Sequence, residues 1–285
     1  MRWKRKSYFV ISLSLLIACV VWCQMGAFLV HIFFGVNIKA NFFKFCFSLF
    51  KEDSVYYFVV VTLLSIIISY SILSTLFKIA EQYFLSRRFN QKLFLSKNIE
   101  MTRSINETFN RVNNDILVVK AEQPLAFTLG FRRPFIVFST GLIQLLDFDE
   151  LEAVVEHEAF HQKKYDPLVI FILQLISDAL WFVPLTKWCH KNYKIISELS
   201  ADENAIKKMG TELGISAALL KLIKHGCTDK SSPVLVHFSN ESVNYRLQQL
   251  IDPHKSIPLK AETITIFVSI YVLVLLLGMT IVIVG

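Results

Sequence analysis

The chain has 285 residues, of which 54 % are hydrophobic, and a formal net charge of +7. An apolar share this high exceeds that of soluble domains and excludes a simple water-soluble globule, so a membrane protein is the first expectation. The positive charge flanks apolar runs and forms no basic helix with interleaved aromatics, which sets membrane orientation and contact with anionic headgroups above direct nucleic-acid binding.

In chain order, Tyr8–Phe34 is the first run long enough to cross a bilayer as helix, which takes about 20 apolar residues. Its basic start, MRWKRK, invites comparison with a signal peptide, but the apolar part is too long and no small-residue cleavage site follows. LIAC, ending at Cys19, resembles a lipoprotein box only faintly because the apolar run continues through it; an uncleaved anchor is expected. His31 in this run is expected to be packed or interfacial. Val55–Phe77 is a second span. Arg2, Lys4, Arg5 and Lys6 before the first span and Lys78, Arg87, Arg88, Lys92 and Lys97 after the second place both flanks in the cytoplasm. Cys19, Cys23, Cys46, Cys189 and Cys227 are scattered without a CxxC spacing, which argues against a disulfide framework or a thiolate metal site.

Beyond residue 78 the chain reads as a helical extension to about Asn113. ILVVKAEQ from Ile116 and RRPFIVFSTGL ending at Leu142 then predict two or three short strands, with Phe135–Phe138 taken as an edge to which substrate could add as a strand. Asp149 and Glu152 form a candidate capping box for a helix running to about Tyr165, before Pro167. A further helix is expected over Asn192–Met209, stopped by Gly210, and another from a Thr211 cap to near Gly226. Thr263–Val284 is a closing span.

The stretch EHEAFHQKKYDPL, Glu156–Leu168, carries the chemistry. In a helix His157 and His161 share a face and can present two imidazoles to one metal, with Glu158 beside them, the HExxH arrangement. Hydrolytic zinc takes a third protein ligand and keeps a fourth position for water. ELSAD, Glu198–Asp202, offers two carboxylates four apart, so one can bind metal while the other receives the free ring N–H of a ligand histidine. The plainer alternatives are two surface histidines and a solvated acidic face. Between the motifs, 167–188 is nearly long enough to span, yet it contains Asp178 and Pro184. A full crossing would separate His157 from Glu198 by roughly 30 Å, against metal bonds of about 2 Å. A buried core helix or a bent, re-entrant element is therefore expected, with Asp178 facing protein or water.

PLAFTLGFRRPFIVF from Pro124, DELEAVVEHEAFHQKKYDPL from Asp149 and ELSAD together resemble the membrane zinc metallopeptidases of the BlaR/MecR antirepressor type. The HtpX-like and CAAX-protease-type peptidases show a similar motif pair. Asp166 and the GxxRP motif of Gly130–Pro134 favour the antirepressor group, and the likeness covers Pro124–Asp202 well and the remainder by hydropathy. The resemblance implies a gluzincin-like cytoplasmic domain that cleaves a transcriptional repressor, or itself, after an external sensor binds a signal. It implies His157, His161 and Glu198 as zinc ligands, Glu158 as base and Asp202 as a carboxylate behind a ligand. His237 in VHFS and Arg246 in NYRLQQL are weaker candidates, for which a surface histidine and a helix-face arginine are the favoured readings. Only Gly285 follows the last span, so an external penicillin-binding sensor is not expected.

The expected molecule is a mainly α membrane protein with a small-sheet α+β zinc peptidase domain. Residues 1–78 form a membrane region with spans at about 8–34 and 55–77, 79–262 the cytoplasmic Zn2+ domain, and 263–285 a last span ending outside. Expected partners are a protein substrate such as a repressor and the lipid bilayer, with a homodimer allowed for. The rival readings are a membrane quality-control protease and a non-catalytic transducer that keeps the peptidase fold.

Overall fold

The computed structural model describes residues 2–36, 41–51, 54–225, 240–252 and 262–284. It divides into two compact units, one of residues 1–7, 80–172 and 192–258, the other of 8–79, 173–191 and 259–285.

The first unit is built on a three-stranded sheet. Strands β1 (Ile116–Val119), β2 (Ala126–Leu129) and β3 (Phe135–Ser139) lie in the order β1-β3-β2, β1 parallel and β2 antiparallel to β3. The expected strands are present, but Phe135–Phe138 belongs to the central strand. It is paired on both sides and offers no edge. The outer edge of β1 is closed as well. Asn106 on α4 (Ile99–Thr108) exchanges hydrogen bonds with both backbone groups of Ile116, and Lys120 N–H donates to Ser96 C=O. The sheet's remaining edge is that of β2.

Alternation along the strands buries both faces of the sheet. Ile116, Val118, Ile136 and Phe138 pack with Leu151, Val154, Val155 and Ala218, whereas Leu117, Val119 and Val137 pack with Phe89 and Leu93. The first set brings α6 (Phe148–Lys164) and α9 (Leu213–Lys224) onto the sheet. A short α5 (Thr140–Leu145) precedes α6. Asp147, not Asp149, caps α6, and its backbone N–H donates to Glu150 at 2.9 Å, two residues earlier than the expected box.

In the second unit, α1 (Arg2–Phe34) places Ile17, Val21, Met25 and Phe28 on one helical stripe, packed with Ile68 of α3 (Val55–Leu95) and Leu276 of α11 (Thr263–Val284). A short α2 (Phe42–Ser48) adds Phe43. α1 and α3 are each long and apolar enough to cross a membrane. The second apolar run and its polar extension form one 41-residue helix, so no break marks the expected boundary at residue 78. The segment 167–188 is not one continuous helix. α7 (Asp166–Ala179) stops, Leu180–Val183 turns, and α8 (Pro184–Met209) starts on a proline suited to a first helical position. α8 is thus longer than the helix expected from Asn192. Ile176, Leu180 and Val183 join the apolar cluster, and Asp178 pairs with Lys78.

Candidate metal centre

The two histidines stand one turn apart on α6 with Nε2 atoms 3.2 Å from each other. Glu198 of α8 completes a triangle, Oε2 3.5 Å from His157 Nε2 and Oε1 3.6 Å from His161 Nε2. Zinc bonds of about 2.0–2.1 Å at tetrahedral angles separate neighbouring ligand atoms by roughly 3.3 Å, so the donor set fits such an ion in type and in size. His157, Glu158 and His161 are 3 %, 5 % and 8 % exposed.

Each ring is turned by a carboxylate behind it. His161 Nδ1 lies 2.7 Å from Asp166 Oδ2 and His157 Nδ1 lies 2.9 Å from Asp202 Oδ1, which directs both Nε2 atoms inward. Asp166 gets there because α6 ends on Tyr165 in the left-handed conformation (φ 54°), which redirects the chain into α7. The buried Tyr193 hydroxyl donates to the other oxygen of Asp166 at 2.6 Å. Asn204 on α8 donates to Glu156 C=O at 3.2 Å and ties that helix to α6.

Arg246, on α10 (Asn240–Ile251), is drawn into the same cluster. It is 3 % exposed, donates two parallel bonds to Asp202 at 2.7 and 2.8 Å, and reaches Glu198 Oε2 at 3.1 Å. The helix-face reading of this arginine is overturned. His237 lies outside the described residues.

These neighbours reset the titration of the site. Burial opposes charge on His161, but its bond to Asp166 and the charges of Glu198, Asp166 and Glu158 outweigh that and raise it to about 9. His157 is raised by Asp202 and Glu198 against burial and the Arg246 charge. Glu198 and Asp202 are held below the usual carboxylate range, against burial, by His157 and Arg246.

Glu158 sits at the edge of the triangle. Thr128, on β2, donates to its Oε2 at 2.8 Å and to its backbone carbonyl at 3.0 Å. A cavity of about 40 Å³, lined by Phe127, Thr128, Glu158 and the three metal-type donors, has room for a water molecule.

A model of the family described as BlaR1 peptidase M56 matches residues 48–250. The chain belongs to that family. It is 27 % identical over 158 residues to the regulatory protein BlaR1 of Bacillus licheniformis, covering 53 % of this chain and 26 % of that protein. It is 36 % identical over 77 residues to the protease HtpX homolog of Aquifex aeolicus, covering 26 % of this chain and 25 % of that protein. A protease HtpX homolog of Thermococcus sibiricus is 31 % identical over 87 residues, 30 % of each chain. The chain thus spans about a quarter to a third of the length of these relatives.

Within the M56 match the structure brings together His157, Glu158, His161, Glu198, Asp202 and Arg246. The reading from sequence missed Thr128 and Tyr193. Tyr193 lies five residues before Glu198, about 140° round the helix, a spacing that offered no signal, and its partner Asp166 is 27 residues away. Thr128 offered none, because its role depends on which strand is the edge.

Proposed function

We propose that the chain is an integral-membrane zinc endopeptidase that hydrolyses peptide bonds at the cytoplasmic face, in regulatory proteolysis of a repressor or another signalling protein. The observation that carries this reading is the His157–His161–Glu198 triangle with Glu158 held against it. Those three residues would hold the ion, which when bound supplies Lewis acidity toward the scissile carbonyl and makes water a nucleophile at neutral pH. Glu158 takes the proton of a water in the adjoining cavity and delivers it to the leaving amine. Thr128 occupies Oε2 and leaves the second carboxylate oxygen for that transfer. Asp166 and Asp202 fix the rings, and Arg246 offsets the negative charge of Glu198 and Asp202. The open edge of β2, beside Thr128, takes over the role first assigned to Phe135–Phe138 and receives substrate as an added strand.

The basic flanks support an inside amino terminus, with α1 and α3 as spans, α11 as a last span ending outside, and the 167–188 segment as a re-entrant element. The name of the Bacillus relative, a regulatory protein, supports a signalling role. The HtpX-homolog matches favour a second reading, a membrane protease of broader range. Cleavage of one or a few cellular proteins supports the first, and degradation of many unfolded chains the second.

The test is Glu158→Gln in the purified full chain. Peptide cleavage should fall on the order of 10²–10⁴-fold with zinc content unchanged at one ion per chain. Unchanged cleavage would remove Glu158 as the base and sink the peptidase reading.

A further inference from the structure

The first unit carries a second cleft, about 1110 Å³ in volume, that the hydrolytic site does not use. It lies at the end of the sheet where β2 finishes and β1 and β3 begin. Five cations line it, Lys97, Arg111, Arg132, Arg133 and Lys163, against one carboxylate, Asp115. Asp115 is already taken, since Arg111 grips it with bonds of 2.8 and 2.9 Å. Lys97, Arg132, Arg133 and Lys163 pair with no carboxylate among the described residues, which leaves a local charge of +4 on a concave wall.

This cationic wall is built into the fold. Arg132 and Arg133 occupy the turn between β2 and β3, within the GxxRP motif that the hydrolytic site leaves unexplained. Gly130 enters that turn at φ +103°, where a Cβ would come within 2.9 Å of Arg133 C=O. Gln162, next to His161, donates to Pro134 C=O at 2.7 Å and fixes the other end of the turn to α6. The rest of the wall is apolar and amide in character, with Phe94 against Phe135 and Asn110, Asn113 and Asn114 nearby.

We propose that this cleft is an exosite for an acidic polypeptide segment of the substrate, a proposal that rests on the β2 edge being where substrate lies. Charge complementarity calls for carboxylates, and the apolar and amide lining fits peptide side chains and backbone better than a lipid headgroup or a nucleic-acid backbone. The turn that carries Arg132 and Arg133 follows Leu129 of β2 directly, so a chain paired along β2 and continuing past Leu129 runs toward that turn.

The test uses the full chain in zwitterionic nanodiscs and a fluorescein-labelled peptide alternating Glu with Leu and Phe, with its Gln isostere as control. Glu158→Gln protein is used for binding, so the measurement does not depend on turnover. The acidic peptide should bind at least tenfold tighter than the isostere, less so at high salt. Arg132→Glu with Arg133→Glu, and separately Lys163→Glu, should each cancel most of that preference, whereas Arg103→Glu on the exposed face of α4 should not. Zinc content of each variant reports folding. In active protein, acidic residues flanking a cleavable peptide should lower KM and leave kcat unchanged. Equal binding of both peptides, indifference to the charge reversals, or displacement by single-stranded DNA or phosphatidylglycerol vesicles in preference to the acidic peptide would overturn the exosite. Loss of cleavage with the peptide preference intact would instead count against the peptidase reading alone.

Discussion

Helices α6 and α3 invert one another. α6 buries His157, Glu158 and His161, while α3 leaves Ile66 58 %, Leu73 64 % and Phe77 69 % exposed. Buried titratable groups persist only when paired or put to chemical use, and every one of these on α6 has a partner. A long helix that exposes apolar side chains on most of its surface is suited to lipid instead of water. The contrast says where to look for chemistry and where to look for the bilayer, and each half of it can be broken separately.

The largest effect belongs to Arg246. Replacing it with Ala takes from the buried Asp202 and Glu198 the guanidinium that bonds both and leaves them only His157 and His161, which should destabilise the first unit by up to about 3–5 kcal/mol. Chemical denaturation of the metal-free protein, followed by a fluorophore in that unit, measures it. A loss below about 1 kcal/mol would return Arg246 to the helix surface. Arg246→Lys should recover only part of the stability, because an ammonium cannot make the two parallel bonds to Asp202.

For the apolar half, Ile66→Asp puts a charge at the centre of the run 55–77. It should disfavour membrane insertion of α3 by about 2.5–3.5 kcal/mol. Glycosylation-site mapping of the inserted fraction reads this directly. If Ile66→Asp left insertion unchanged and made the protein more soluble, the lipid-facing reading of α3 would fail.

Proton release sharpens the polar half. His161 binds a metal only through an unprotonated Nε2, yet its neighbours hold the metal-free ring protonated up to about 9. Zinc uptake at neutral pH should therefore release a proton from this ring, and affinity should climb with pH until about 9. The sign for the metal-free protein is the reverse. A folded pKa raised from 6.5 stabilises fully below that value, and the contribution is lost as pH rises through about 9. Titration calorimetry in two buffers of different ionisation heat counts the protons, and a count of zero at pH 7 would remove His161 from the ligand set.

The parts of this protein legible in its sequence are those whose partners lie within one helical turn. His157 and His161 announce each other, as do Glu198 and Asp202, and the stripe Ile17–Val21–Met25–Phe28 is visible by spacing alone. What was hidden depends on long-range pairing. Arg246 and Asp202 are 44 residues apart, and an amphipathic helix with one arginine looks the same whether that arginine meets water or a buried carboxylate. Strand order has the same character. ILVV, AFTL and FIVFS are all short and apolar, and nothing local says that the last lies between the other two, so the open edge was assigned to the wrong strand. The α6 cap slipped by two residues because Asp147 and Asp149 each have a Glu three residues on, and only the geometry of Glu150 distinguishes them.

The smallest effect tests how far the polar organisation extends from the metal-type donors. Tyr193 touches none of them. Its hydroxyl holds Asp166, and Asp166 holds the His161 ring. Tyr193→Phe keeps the buried ring and removes one hydrogen bond to a charged acceptor, which is worth about 1.5–3 kcal/mol in place. Asp166 keeps its bond to His161, so only part of that should reach the metal, a loss of zinc affinity on the order of tenfold or less. Asp166→Asn removes the charge itself and should cost about 10–100-fold. A competition titration against a chelator ranks the two variants. If Tyr193→Phe cost as much affinity as Asp166→Asn, the hydroxyl would be setting the position of the carboxylate, and the ordered polar shell would extend a full residue farther from α6 than the hydrogen bonds alone imply.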